Sequence, residues 1–343
     1  MKEIDQKIID AILKKAEKEY PGVVDLLGIY GSVCTKDTHD HSDLDLLILI
    51  NDPRGYGLSK AFILEDVGIG YDVYCTTYEM LEEDATCGHT HLSKLMDSEI
   101  VYVRDESVTA RLEELRQQVR ETLGSGKRFE AIDQIRDEIC KHYGYAFTAE
   151  TIGQLRTRSA WIINLCLDAV MLWNGSYFKR GVKRTFEELE GLDLPDDFIK
   201  NIMAVVQAKN FIDLGISLGT LVKSVIRFTY HGHIAQEPTK DSLRGTYEES
   251  YSNWRNKMQE AVREKDVFSS FMNLASLQFM FEGIASENNI PRFQVMDEFD
   301  AQDLVGNAKL FDDALEEYQK EYEKVGLTIQ SFANVDEFVK VYV

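Results

Sequence analysis

Two apolar segments flank a polar loop near the start of this chain of 343 residues. The first segment, LLGIY, is followed by Gly31-Ser32. The second segment, LLILI, is preceded by Asp43-Leu44-Asp45. Residues i and i+2 of a β-strand point to the same face, so Asp43 and Asp45 are predicted to project side by side. Adjacent carboxylates repel each other unless a cation lies between them, and Mg²⁺ takes such oxygens together with substrate phosphates. The pattern therefore predicts a strand, a turn and a second strand around a metal-dependent phosphate site.

The turn between the two segments suits a phosphate group. Gly31 allows close approach to the backbone, and the Ser32 hydroxyl and the turn amides can hold phosphate oxygens. A P-loop is excluded, because the chain has no G-x-x-x-x-G-K-[ST] segment. The chemistry implied is metal-assisted transfer from ATP or another nucleoside triphosphate, with Mg²⁺ as cofactor. The alternative is a plain turn followed by aspartates at a strand edge, without metal.

The pattern G-S-x10-D-x-D resembles the signature of the DNA polymerase β-type nucleotidyltransferase superfamily. That superfamily adds a third carboxylate from a later strand, and Asp72 in the segment GIGYDVYCTT has the corresponding setting. The resemblance implies that Asp43, Asp45 and Asp72 bind Mg²⁺ and that Gly31 and Ser32 position the triphosphate.

A second resemblance lies at Glu150-Thr-Ile-Gly153-Gln154-Leu-Arg156. It looks like the E-x-x-G-K-x-R segment of kanamycin-type aminoglycoside nucleotidyltransferases, in which the Glu is the general base, so it implies that role for Glu150. The likeness runs over roughly residues 25–233. Gln154 departs from the family, which has Lys there. Lys183 or Arg184, in the basic segment 179–184, is the candidate replacement on the triphosphate, and a solvated turn is the alternative interpretation of that segment.

A single helix is expected over residues 147–173, with polar side chains along one line of an otherwise apolar second half. At 100° per residue that line contains Glu150, Gln154, Thr157, Trp161, Asn164 and Asp168. A polar stripe of this kind borders solvent or a polar cleft. Asp168 is therefore the alternative candidate for the general base.

The pattern of apolar residues predicts an α+β fold with three parts. A small mixed-sheet nucleotidyltransferase domain is expected at residues 1–125, a helical-bundle substrate domain at 126–234, and an additional helical region at 235–343. The first boundary is placed at Gly124-Ser125-Gly126, a breaker sequence. Within the third part, single helices are expected over 248–264, 267–286 and 301–324.

The net charge of −21 constrains the partners. Binding a nucleic-acid backbone needs clustered Lys and Arg, so no nucleic-acid partner is expected. An acidic protein attracts cations, which favours a small cationic acceptor, and the alternative is that the acidity only aids solubility. The resemblance to aminoglycoside nucleotidyltransferases implies that this acceptor is hydroxylated and aminoglycoside-like. Neither a signal peptide nor an apolar run of membrane-spanning length is present in the sequence, and five scattered cysteines suggest reduced thiols, so a cytoplasmic protein without membrane contact is expected. The kanamycin-type resemblance also implies a homodimer, by analogy.

Two other functions stay open. The same chemistry could act on a protein or tRNA end, with the C-terminal region recognising the macromolecule. The chain could also be a catalytically silent nucleotide-sensing or interaction module, which the loss of the family Lys at Gln154 favours. Paired histidines at 39/41, 89/91 and 231/233 could hold a transition metal, although no further ligand has a recognisable spacing, and His39 and His41 could instead contact the nucleotide.

Overall fold

The computed structural model describes residues 2–232 and 235–343. Within them the chain packs as two compact units, one reaching His231 and one starting at Gly232. The predicted boundary at 234/235 and the second histidine of the last pair, His233, involve positions outside the described residues. No helix in the described ranges is both long and apolar enough to cross a membrane.

The first part of the first unit combines a small sheet with short and long helices. In chain order its elements are α1 (Glu3–Glu19), β1 (Val24–Tyr30), α2 (Ser32–Thr35), β2 (Asp45–Ile50), β3 (Lys60–Leu64), β4 (Ile69–Val73), β5 (Cys75–Thr76), α3 (Tyr78–Asp84), α4 (Ser93–Met96), β6 (Glu99–Val103) and α5 (Glu106–Gly124).

The main sheet has the strand order β5-β2-β1-β6. β1 pairs antiparallel with both β2 and β6, whereas β2 pairs parallel with β5. The sheet is therefore mixed, as expected. Strands β3 and β4 form a separate antiparallel hairpin.

Strand β2 is apolar along almost its whole length because both of its faces are covered. Leu46 and Ile48 pack with α1 in one core, whereas Leu47 and Leu49 pack with α3 and α5 in the other. This confirms the prediction that β2 is buried on both sides. Only Asp45, its first residue, is partly exposed, so the carboxylate lies where the strand emerges from the core.

The rest of the first unit is helical. Its elements are α6 (Arg128–Ala146), α7 (Ile152–Trp173), α8 (Thr185–Glu188), α9 (Phe198–Gln207) and α10 (Phe211–Phe228). The core on the α5 side of the sheet continues through α6, α7 and α10, and Leu123 and Ala131 belong to it together. Packing is thus continuous across the residues at which the first domain boundary is predicted.

The second unit is helical throughout its ordered elements, which are α11 (Lys240–Leu243), α12 (Thr246–Ser250), α13 (Asn256–Glu264), α14 (Val267–Glu287), α15 (Leu304–Lys324) and α16 (Val335–Tyr342). Its core is rich in aromatic side chains, among them Phe281, Phe311 and Tyr318. Residues 248–264 are helical, as expected, and within them Tyr251–Arg255 form a π turn that joins α12 to α13. The whole chain has the expected α+β fold, a small mixed sheet followed by many helices.

Candidate active site

The glycine turn brings the end of β1 against the first residue of β2. Gly31 has φ +69°, a backbone conformation that favours glycine, and its carbonyl accepts hydrogen bonds from Cys34 and Thr35 at 3.1 Å. A Cβ at position 31 would overlap the carboxylate of Asp45 and lie 2.8 Å from its Cγ. Position 31 therefore requires glycine both for its dihedral angle and for the room that Asp45 occupies.

The paired carboxylates lie at the same edge of the sheet as this turn. Asp45 is half-buried and pairs across the ladder with Tyr30, whereas Asp43 is exposed. Burial, and then the neighbouring charge of Asp43, raise the pKa of Asp45, while a hydrogen bond from the Ser32 backbone N–H opposes the shift. Two like charges held together in this way favour a bound cation.

A cavity of about 380 Å³ opens in front of these carboxylates. Asp43 and Asp45 line it from the sheet, and a basic segment, defined here as residues 179–184, lines it from the connection between α7 and α8. The lining residues that bear on function are Tyr30, Gly31, Ser32, Asp37, His39, His41, Asp43, Asp45, His91, Ser93, Lys179, Arg180, Lys183 and Arg184. Carboxylates and cations thus face one space, which is the polarity that a metal-bound polyphosphate needs.

The two arginines of the basic segment are already engaged by carboxylates. Arg180 makes a bidentate ion pair with Asp37, with Nε–Oδ2 and Nη2–Oδ1 distances of 2.5 Å. Arg184 lies 3.4 Å from the same carboxylate, and Glu187 pairs with both arginines. The hydrogen bond from Arg180 lowers the pKa of Asp37 to about 2, so this carboxylate is ionised at neutral pH.

The two lysines of the basic segment are not paired in this way. Among the described residues, no carboxylate oxygen lies within 4.0 Å of Lys179 Nζ or Lys183 Nζ. Lys179 lies over the ring of Tyr177, 5.3 Å from its centroid, and Lys183 is exposed on the cavity wall. Their charges remain available to an anionic ligand.

Two of the predicted site residues lie away from this cavity. Asp72 is exposed on β4 and pairs with Ala61 of β3, and Glu150 is exposed just before α7. Neither is among the residues that line the cavity. Within the described ranges, no three His, Cys, Asp or Glu side chains come together as a metal-binding group. The roles of Asp72 and Glu150 therefore stay predictions, as does a transition-metal site at the histidine pairs.

The residues present nevertheless fit a magnesium ion. Mg²⁺ is commonly bound through one or two protein carboxylates and completes its shell with water and substrate phosphates. Asp43 and Asp45 supply that pair of oxygens at the cavity wall, where burial and the charge of Asp43 raise the pKa of Asp45.

The expected helix over 147–173 in fact begins at Ile152, because Thr151 caps it. The Thr151 hydroxyl accepts from the Gln154 backbone N–H at 3.2 Å, and the Gln154 amide oxygen accepts from the backbone N–H groups of Glu150 and Thr151. This is a capping box, in which Gln is as suitable as Glu. The departure from the family Lys at position 154 thus has a structural use here, and Glu150 lies outside the helix.

Asp168 does not lie on a polar cleft, which corrects the expectation for the polar stripe on α7. The stripe is exposed at Thr157, Trp161 and Asn164, but Asp168 is buried. Its Oδ1 accepts hydrogen bonds from the backbone N–H of Thr90 at 2.9 Å and from the Thr90 hydroxyl at 2.5 Å. The carboxylate fixes the segment before α4 against α7, and it has no exposure to a substrate.

Replacing Asp168 with alanine should therefore destabilise the fold. The change leaves the buried N–H and hydroxyl of Thr90 without an acceptor, at a cost of about 1–3 kcal/mol for each unsatisfied group. Urea unfolding measures it, with Asn164→Ala, one turn earlier on an exposed position, as the matched control. A loss of stability no greater than that of the control would show that Asp168 has no structural role.

The cavity also contains Tyr30, to which the sequence assigns no role, and His91, which the sequence indicates only as one of the paired histidines. Tyr30 lies opposite Asp45, and its hydroxyl is hydrogen-bonded to that of Tyr74 at 3.2 Å. Burial raises the pKa of Tyr30, so it stays protonated. His91 lies on the cavity wall with its ring stacked on Phe178, 5.4 Å between centroids. Position in the strand could have indicated Tyr30, since it precedes Gly31, whereas no local signal places His91 beside Asp45.

Comparisons with known proteins add little to this geometry. No family model matches the sequence, and no curated protein matches it. A solved structure, that of a nucleotidyltransferase-like protein from Exiguobacterium sibiricum 255-15, is similar over 82% of this chain and 92% of that chain, with 14% sequence identity and a TM-score of 0.39. A likeness of this extent says nothing about substrate or acceptor. The function proposed for this chain therefore rests on its own residues, and its closeness to kanamycin-type enzymes stays a prediction.

Proposed function

We propose that this protein is a Mg²⁺-dependent nucleotidyltransferase. It binds ATP or another nucleoside triphosphate in the cavity, transfers the nucleoside monophosphate to a hydroxyl of a small acceptor and releases pyrophosphate. One observation carries the proposal: the carboxylates of Asp43 and Asp45 and the free cations of Lys179 and Lys183 line the same space, beside the Gly31 turn. Carboxylates suit the metal, and lysine ammonium groups suit phosphate oxygens.

Five of the lining residues have a role in this proposal. Asp43 and Asp45 hold the metal, which when bound neutralises phosphate charge and lowers the pKa of the acceptor hydroxyl. Gly31 and Ser32 position the β- and γ-phosphates through the turn, and Lys183, which lines the same cavity, neutralises their charge. The acceptor oxygen then forms a bond to the α-phosphorus as the bond to the β-phosphate oxygen breaks, and pyrophosphate leaves.

Asp72 is proposed as a third metal ligand. Ile48 of β2 pairs in parallel with Cys75 of β5. Asp45 lies three residues before Ile48, and Asp72 lies three residues before Cys75. Parallel strands keep a constant register, so a straight continuation of β5 would bring Asp72 level with Asp45. Tyr71 and Val73 pack in the α1-side core, and therefore Asp72 belongs to the opposite face, the face of Asp45.

Glu150 is proposed as the general base on the strength of the resemblance alone. Glu150→Gln should leave Mg·nucleotide affinity unchanged and lower the acceptor-dependent rate roughly 10²–10⁴-fold, the usual effect of removing a positioned base. Gln keeps the volume of the side chain but cannot take the proton. Single-turnover kinetics with calorimetry of nucleotide binding measures both quantities. A rate within a few-fold of the parent protein would remove Glu150 from the mechanism.

The acceptor is proposed to be a small hydroxylated cation, and the protein a possible homodimer. The motivation is the net charge of −21 and the aminoglycoside-type resemblance. The cavity itself supplies no additional support, because Asp168 is buried and the lysines make one wall basic. Nucleic acid and membrane are not proposed as partners.

A nucleotide-binding module without turnover is the second candidate. The placement of Asp72 and Glu150 outside the cavity wall favours it, since binding needs only the residues that line the cavity. Transfer to a protein end is the other form of the enzymatic proposal, and tRNA enters the test as an acceptor that the net charge of −21 disfavours.

The test of the function is transfer of label from α-³²P-labelled ATP, GTP, CTP and UTP with Mg²⁺. Acceptors are a panel of aminoglycosides and lincosamides, a mixture of proteins, and tRNA. Label on a small molecule together with released pyrophosphate is the expected result. Nucleotide binding without transfer to any acceptor would select the binding module, and absence of nucleotide binding would refute both.

A further inference from the structure

The polar loop between Ser32 and Asp43 is held by a residue far away in the sequence. Arg180 donates two hydrogen bonds of 2.5 Å to the Asp37 carboxylate, and the two residues are 143 positions apart in the sequence. Near its C-terminal end the loop is held by Lys2, whose ammonium group donates to the Ser42 carbonyl at 3.0 Å. The loop that carries the cavity-lining His39 and His41 is thus held in its middle, at Asp37, and near its C-terminal end.

Arg180 is itself held in place. Its backbone N–H donates to a carboxylate oxygen of Glu188 at 3.1 Å, and the backbone N–H of Lys179 donates to the other oxygen at 2.8 Å. Glu187 accepts a further hydrogen bond from the Arg180 guanidinium at 3.0 Å. The basic segment is folded onto α8 by these contacts, so the guanidinium reaches Asp37 from a defined position.

The positive charge of Arg180 is already paired with carboxylates in these contacts. Its guanidinium is shared between Asp37 and Glu187, whereas Lys183 has no carboxylate within 4.0 Å in the part of the chain that the structure describes. A triphosphate would therefore be bound by the lysines and not by Arg180. The ion pair instead links the loop to the basic segment.

We propose that Arg180 and Asp37 are positioning residues that set the two walls of the cavity for a Mg·nucleoside triphosphate before it binds. This inference rests on the proposed function. A bidentate guanidinium–carboxylate pair fixes orientation as well as distance, which a single ammonium contact does not. A preformed cavity also avoids the cost of ordering the loop when the nucleotide binds.

The test measures binding of the Mg²⁺ complexes of ATP, GTP, CTP and UTP by calorimetry, using the full chain. For the nucleotide complex that binds most tightly, Asp37→Asn and Arg180→Gln should each lower the affinity roughly tenfold. The double variant should lose no more affinity than the more affected single variant, since the effects of coupled residues are not additive. Arg180→Lys should recover only part of the loss. Hydrogen exchange of residues 36–42 should accelerate in each variant that weakens binding.

The matched control is Asp312→Asn, which breaks the Arg255–Asp312 pair of the second unit, with an Nε–Oδ1 distance of 2.9 Å. This control should leave nucleotide affinity unchanged. Thermal unfolding of all variants shows whether a loss of affinity is a local effect or results from loss of the fold. Unchanged or tighter binding in Asp37→Asn, or additive losses in the double variant, would overturn the positioning role. If the unmodified protein bound none of the four complexes, the proposed function itself would fail, and this inference with it.

Discussion

Asp45→Asn should abolish Mg²⁺-dependent nucleotidyl transfer while leaving the fold intact. The variant loses one negative charge and one metal-ligand bond at the first residue of β2. The side chain there is half-buried and keeps its volume, so no core cavity is created. A metal ion contributes several kcal/mol to the stabilisation of transferring phosphate, so the rate should fall roughly 10³-fold or more. Label transfer from the α-phosphate measures it. Asp40→Asn, an exposed aspartate of the same loop outside the cavity lining, is the matched control.

The same variant should be at least as stable as the parent protein in the absence of metal. Burial and the charge of Asp43 raise the pKa of Asp45, so the folded state binds its proton more tightly than the unfolded state does. Stability from this group is present at low pH and is lost as the pH rises through the raised pKa. At neutral pH the parent therefore carries an unfavourable charge that Asn lacks, and Asn keeps an oxygen for the Ser32 N–H. A clear fall in melting temperature would contradict this account of Asp45.

Gly31→Ala should lower both stability and transfer. Alanine at φ +69° is strained by about 1–3 kcal/mol, and its Cβ would overlap the Asp45 carboxylate, which must move. A displacement of about 1 Å at a reacting centre can cost on the order of a hundredfold in rate. Thermal unfolding and label transfer measure the two effects.

Gly68→Ala separates these two causes. Gly68 also has positive φ, +64°, but a Cβ there meets nothing within 4 Å. It should lose stability through backbone strain and keep full transfer activity. Equal loss of transfer in both variants would show that strain, and not displacement of Asp45, explains the effect at Gly31.

The parts of the site that could be predicted are those with a local signal. β2 was predictable because five apolar residues in a row need cover on both faces, and the carboxylates at its entry then had to lie at its exposed edge. The turn at Gly31 is also predictable from the Gly-Ser pair after an apolar segment, and the structure gives Gly31 a positive φ there. In both cases neighbours in sequence decide the structure.

Other parts of the site depend on contacts that sequence does not display. The Arg180–Asp37 pair joins residues 143 apart, and nothing near either one signals the other. Asp72 has the strand context expected of it, but β4 pairs with β3 in a separate hairpin, which periodicity alone could not reveal. The start of α7 was misplaced although Thr151 and Gln154 form a recognisable capping pattern, because the polar periodicity continues smoothly through Glu150. Asp168 shares that periodicity, and yet its carboxylate is buried and accepts a hydrogen bond from the backbone N–H of Thr90.

The central claim is that Asp43 and Asp45 bind a magnesium ion together with a nucleoside triphosphate in the cavity. Calorimetry of ATP, GTP, CTP and UTP with and without Mg²⁺ tests it most directly, on the unmodified protein and on the Asp43→Asn, Asp45→Asn double variant. At least one triphosphate should bind the unmodified protein much more tightly with Mg²⁺ than without it, and the double variant should lose this metal dependence. Binding that ignores Mg²⁺, or a double variant that keeps the full metal dependence, would contradict the claim.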